Sequence, residues 1–171
     1  MAVLQKDETI AASALVRASP ETVYALVSDV ARIPQWSPET VRTERISAER
    51  FQAWNRRRLG RWRTEARVVE QEPGRLFSFV VEAMGGDWTQ WSFLIEPGPE
   101  PGTVRLTEQC RMCVALPLPV RIFEHLFLFV RDRRPDLRAN IEASLERIAA
   151  LAEAQEPTGA ARDAQRTGRD E

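Results

Sequence analysis

Glu108 and Asn55 are the residues of this chain best placed for chemistry among apolar neighbours. Glu108 alternates in step with Leu106 and Cys110, and Asn55 with Phe51 and Ala53, so each shares a strand face with apolar side chains. A carboxyl group set in an apolar wall has its pKa raised and becomes useful for proton transfer near neutral pH. An amide beside it can polarise a carbonyl. The structural alternative is that Asn55 bonds backbone at a strand end and Glu108 pairs with an arginine of a neighbouring strand.

Other reactive residue types give less. Cys110 and Cys113 have CxxC spacing, and His125 is the only histidine. On a strand, positions three apart point to opposite faces, so the two thiols do not converge. No fourth ligand stands at a zinc-site spacing. Ser13, Ser144 and His125 form no Ser-His-Asp arrangement, and no glycine-rich phosphate loop follows a strand. Neither a metal nor a cofactor is expected. Arg56, Arg57, Arg58, Arg61, Arg63 and Arg67 lie close to Trp54 and Trp62, a mixture found on nucleic-acid surfaces. Arg61, Arg63 and Arg67 alternate strictly with Trp62, Thr64, Ala66 and Val68, however, which assigns them to a solvated outer face. The formal net charge of -1 leaves no strong counterion-release term, so no nucleic-acid partner is expected.

These residues must be positioned by strands. Ile10, Ala12, Ala14 and Val16 alternate, and Ser19-Pro20-Glu21 then opens a helix carrying Val23, Leu26, Val27 and Val30 on one face. Pro34 and Pro38 are expected to stop the helical run and to bracket an exposed Trp36. Period-two segments follow around Val41 to Ile46, Phe51 to Asn55, Trp62 to Val68, Phe77 to Val81, Thr89 to Ile95 and Val104 to Met112. Turn signals such as Glu72-Pro73-Gly74-Arg75 separate them, so they read as an antiparallel meander. Ile122 to Val130 is apolar nearly all round, and Pro135 is expected to break or kink the helix there. Leu137, Ile141, Leu145, Ile148 and Leu151 or Ala152 then form the stripe of a long amphipathic helix. Residues 156–171 are charged, contain Gly159 and Gly168, and are expected to be a disordered tail.

In this order the chain resembles the START-like helix-grip superfamily, in its polyketide cyclase/dehydrase and lipid-transport branch. The resemblance rests on Ser19-Pro20-Glu21 with Val23-Tyr24, on Asp29 through Trp36, and on Phe51 with Asn55-Arg56-Arg57. Glu72-Pro73-Gly74-Arg75 with Phe77, Trp91-Ser92-Phe93 with Glu96-Pro97, and Leu106-Thr107-Glu108 complete it. It covers roughly residues 9–153, expected to be one ligand-binding domain. It implies an α+β helix-grip fold: a curved antiparallel sheet of about seven strands wrapped around a long C-terminal helix, with two short helices after the first strand and a hydrophobic cavity between sheet and helix. In the family's cyclases a central-strand arginine and polar residues of the last helix are proposed to steer enolisation and dehydration. The nearest such arginine, Arg67, has outer-face parity, and Ser144 stands where an asparagine is usual.

The expected function is therefore binding of a small or medium hydrophobic ligand, lipid, polyketide or quinone-like. Phe51, Trp62, Phe79, Trp91 and Phe93 would form walls, Asn55, Glu108 and Ser144 would meet a polar end, and Ile122, Phe123 and Phe127 would close the mouth. One alternative is a cyclase/dehydrase-type enzyme using Glu108 and Asn55. The other is a protein-interaction module presenting Trp36, Trp54 and the Phe-rich segment. The 171 residues carry no signal-peptide pattern at their start and no apolar run long enough for stable membrane insertion. A cytoplasmic monomer or homodimer is expected.

Overall fold

The computed structural model describes residues 4–83, 85–115, 122, 126–127 and 133–156. Strand β1 (Thr9–Val16) feeds helix α1 (Pro20–Ser28), whose start is fixed locally. The Ser19 Oγ accepts from the Thr22 backbone N–H at 3.2 Å, and Pro20 fills a first-turn position that needs no N–H. Asp29 then accepts from the Ala31 N–H at 3.1 Å and opens a 3-10 turn, Val30–Arg32, followed by the short helix α2 (Ile33–Trp36).

This segment corrects the expectation for Trp36. Pro34 lies within the first turn of α2, where proline is tolerated, and so it starts a turn instead of ending one. Val30, Ile33 and Trp36 fall three apart on one face and all are buried, Trp36 at 3% exposure. Its indole meets Phe93 edge to face with ring centroids 5.3 Å apart. Trp36 is a core residue.

Strands β2 (Thr40–Arg45), β3 (Arg50–Arg57), β4 (Gly60–Glu72), β5 (Leu76–Ala83), β6 (Gly86–Pro97) and β7 (Val104–Met112) follow. They form one antiparallel seven-stranded sheet in the order β1-β7-β6-β5-β4-β3-β2. Register shifts fall between Thr40 and Arg42, between Val68 and Glu70, and between Val81 and Glu82. Such bulges bend a strand and increase its twist. A flat sheet of this width would span roughly 29 Å at about 4.8 Å per strand. Residues from β3 through β7 nevertheless line one cavity together with the C-terminal helix, so the sheet curls around it.

That helix, α3 (Arg133–Glu153), contains Pro135 as its third residue. Pro135 is accommodated there, because a residue in the first turn has no intrahelical acceptor for its N–H, and the apolar segment it was expected to break or kink lies largely outside the described residues. Leu137, Ile141, Leu145, Ile148 and Ala152 are buried on one stripe, and Ser144 lies within that stripe at 1% exposure. Val23, Leu26 and Val27 of α1 and Val16, Val104 and Leu106 of the sheet belong to the same core. This is the seven-stranded helix-grip arrangement expected from the sequence.

Candidate functional site

Between the concave face of the sheet and α3 lies a cavity of about 450 Å³. Strand parity builds its wall. Phe51 and Ala53 of β3, Phe79 of β5, Phe93 of β6 and Cys110 of β7 all line it and are buried. Trp62 and Trp91 also line it and keep partial exposure. Phe51 and Phe79 pack edge to face with centroids 5.3 Å apart. Aromatic walls of this kind offer a ligand large apolar contact at little entropic cost, since the rings are already held in place.

Glu108 and Ser144 meet in this wall. Glu108 is 2% exposed and is the only Asp, Glu, Lys or Arg among the described residues that is fully buried. Ser144 Oγ is hydrogen-bonded to Glu108 Oε2 and also lies 3.1 Å from the Ile141 carbonyl oxygen. A hydroxyl has one proton to give, so a neutral Glu108 donating to Ser144, with Ser144 donating to Ile141, satisfies both contacts. Burial pushes the Glu108 carboxyl up to about 8, and the bond that Ser144 would donate to the ionised carboxylate only partly opposes the shift. Among the described residues no basic side chain is paired with Glu108; its partner is Ser144 and not an arginine of a neighbouring strand.

Asn55 also lines the cavity, but its amide is already engaged. Thr40 Oγ1 donates to Asn55 Oδ1 at 2.9 Å, and Asn55 Nδ2 donates to Thr64 Oγ1 at 3.2 Å. Three side chains on β2, β3 and β4 thus satisfy one another, without the backbone bond considered for Asn55. In the sheet order β3 is separated from β7 by β4, β5 and β6, and no hydrogen bond joins Asn55 to Glu108. The two residues line the same cavity but are not in hydrogen-bond contact with each other.

A polar cluster at one end of the cavity was not foreseen. Arg57 Nη1 donates to Glu39 Oε1 at 2.8 Å and to Asn140 Oδ1 at 2.9 Å, while Arg57 Nη2 pairs with Asp136. Arg133 Nη1 donates to Asp136 Oδ2 at 2.6 Å, and Asn140 Nδ2 to Glu39 Oε1 at 2.7 Å. Burial pushes the Glu39 carboxyl up, but Arg133, Arg57 and Asn140 outweigh burial and hold it below its ordinary value. The cluster ties the start of α3 to β3 and to the segment before β2, and Glu39, Arg133 and Asn140 are themselves on the cavity wall.

The remaining expectations divide. Ile122 and Phe127 are 49% and 46% exposed and are not on the cavity wall, and Phe123 and His125 lie outside the described residues, as do residues 157–171. Trp36 and Trp88 line the cavity and were missed. The spacing Val30, Ile33, Trp36 carried the signal for Trp36, and the prolines masked it. Arg67 pairs with Glu82 at 3.4 Å and lies opposite Val80, away from the cavity, as its parity required. Cys110 and Cys113 are free thiols. Among the described residues no helix is long and apolar enough to cross a membrane.

Among solved structures, a protein from Deinococcus radiodurans is 13% identical, with a TM-score of 0.64 over 87% of this chain and 100% of its own. A START superfamily protein from Mycobacterium smegmatis is 18% identical, with a TM-score of 0.59 over 86% and 95%. The di-domain ARO/CYC BexL from the BE-7585A biosynthetic pathway is 20% identical, with a TM-score of 0.61 over 88% of this chain and 48% of BexL. These likenesses show the fold. The search of curated proteins found no match. A family model described as polyketide cyclase / dehydrase and lipid transport matches residues 7–153, a span that contains the whole sheet, the long helix and every cavity residue named above, and the chain belongs to that family.

Proposed function

We propose that this protein binds one small or medium-sized hydrophobic molecule, of lipid, polyketide or quinone-like kind, inside the cavity between sheet and helix. The observation that carries this reading is the wall itself: about 450 Å³ of space bounded by Phe51, Trp62, Phe79, Trp91 and Phe93, with one buried carboxyl group. A ligand burying about 300 Å² of apolar surface there would gain roughly 7 kcal/mol before the costs of association. Incubating the purified chain with a lipid-soluble cell extract and recording native mass spectra tests it. One retained apolar molecule per chain supports the reading, and an unliganded chain at saturating extract argues against it.

A second reading, proton transfer to a ligand carbonyl by Glu108, has one observation in its favour. Burial holds the carboxyl protonated near neutral pH, with its value raised to about 8. Asn55 is held by Thr40 and Thr64, which use one acceptor site and one N–H of its amide and leave one N–H for a ligand carbonyl. Turnover of a candidate ligand that disappears in Glu108→Gln with binding retained would favour this enzyme reading. The interaction-module reading loses its principal anchor, because Trp36 is buried.

A further inference from the structure

Positive charge is concentrated on the β3–β4 hairpin, where residues 51–64 include five arginines and no Asp or Glu. Arg57 turns inward to Glu39 and Asp136. Arg56, Arg58, Arg61 and Arg63 are all exposed. Arg56 and Arg61 are directly opposed across the two strands, a like-charge pairing that costs stability and that an anionic partner would relieve. At the tip between them Leu59 is 71% exposed. The same hairpin stands at the rim of the cavity: Trp62 and Arg63 line it, and Arg63 is the one exposed residue on the described wall. Arginines around an apolar tip fit a lipid headgroup layer, where guanidinium groups pair with phosphates and the tip reaches the acyl boundary. A nucleic-acid strand would instead call for open aromatic faces on which bases stack. The outer-face indole, Trp54, has Arg42 over its ring at 4.4 Å.

We propose that the β3–β4 hairpin docks this protein peripherally on an anionic lipid surface, with Arg56, Arg58 and Arg61 on headgroup phosphates and Leu59 inserted between them. The mouth of the cavity then faces the membrane. The purpose of this docking rests on the cavity-binding reading above: an apolar ligand passes between bilayer and cavity with little exposure to water. The formal net charge of -1 gives the whole chain no attraction to such a surface, so the pull is local and orients the hairpin downward.

Vesicle co-sedimentation of the full chain tests this, with phosphatidylcholine alone and with phosphatidylcholine and phosphatidylglycerol in equal parts. Partitioning onto the mixed vesicles is expected to exceed that onto the neutral ones by at least about tenfold at about 0.1 M salt, and to fall steeply by about 0.5 M. Arg56→Gln combined with Arg61→Gln should weaken it about twentyfold, from roughly fivefold per arginine at an anionic surface. The same double variant should melt no lower than the parent, because it removes a like-charge pair. Leu59→Ser should weaken partitioning about three- to tenfold. Equal partitioning onto both kinds of vesicle overturns the proposal, and so does parent-like partitioning of the double variant. Tighter binding of single-stranded RNA than of mixed vesicles at equal salt would assign the hairpin to nucleic acid and overturn it as well. A chain that takes up Nile red in lipid-free solution yet ignores both vesicles loses the docking proposal and keeps the cavity reading. One that sediments with mixed vesicles but takes up no Nile red keeps docking and loses the cavity.

Discussion

The Glu108 carboxyl on β7 and the Ser144 hydroxyl on α3 are hydrogen-bonded across the helix–sheet interface, and among the described residues no basic side chain is hydrogen-bonded to or ion-paired with Glu108. A buried carboxyl with a hydroxyl partner and no cation is most stable when neutral. Helix and sheet are thus joined at the cavity by a contact that does not depend on a buried charge.

A pH dependence follows from that pair. The unfolded chain releases the Glu108 proton near 4.5, whereas the folded chain holds it up to about 8. Between those values the native state binds the extra proton, so stability falls as pH rises, by up to roughly 1.4 kcal/mol per pH unit within the window. Glu39 and Glu8, both shifted downward, add stability that is present above about 4.5 and lost in acid below it, so they act outside this window. Glu108→Gln should flatten the parent's decline between pH 5 and pH 8 in urea denaturation. Equal slopes in parent and variant would show that Glu108 is not held neutral by the fold.

Arg57 should matter to stability more than a surface arginine. Its side chain is 19% exposed, and it joins Glu39 of the α2–β2 segment to Asp136 of α3. Arg57→Met leaves two carboxylates to share Arg133, and is expected to cost about 2 kcal/mol after allowance for partial solvent exposure. Adding Glu39→Gln should recover part of that loss. Additive losses in the double variant would mean that the two residues are not coupled.

Ile141 tests how helix and sheet hold together. It is fully buried on the α3 stripe, one turn from Ser144. Ile141→Asp places a carboxylate there without a cation and should lower stability by about 4 kcal/mol or more, or abolish folding. An unchanged melting temperature would remove α3 from the core.

Much of this was legible because period-two alternation fixes which side of a strand is buried once one side must be apolar. Phe51, Ala53 and Asn55, and likewise Glu108 and Cys110, could be assigned to one wall from parity alone. Parity fails on β5, where Phe77, Ser78, Phe79 and Val80 are all buried in succession. Gln90 donates to Ser78 at 3.0 Å, and Arg111 donates to Gln90 at 2.7 Å, so long polar side chains cover the outer face there. The Glu108–Ser144 contact was hidden for another reason. Both residues were candidates, but their meeting depends on the rotation and register of α3 against β7, which no local pattern encodes. The cluster around Arg57 was hidden in the same way, although Arg133, Asp136 and Asn140 form a polar stripe beside Leu137 and Ile141. Near Trp36, Pro34 and Pro38 obscure the three-residue spacing of Val30, Ile33 and Trp36 that buries the indole.

Filling the space at Ala53 gives the most direct test of the central claim, that this interior is an open binding cavity. Ala53 is 7% exposed and lies on the cavity wall beside Asn55 and Phe51. Nile red should titrate the parent to saturation at one site per chain while quenching tryptophan emission. Ala53→Trp should abolish that binding and still melt cooperatively, because the added ring occupies free space instead of displacing packed neighbours. A parent without saturable binding, or an Ala53→Trp variant that binds the probe as the parent does, would contradict it.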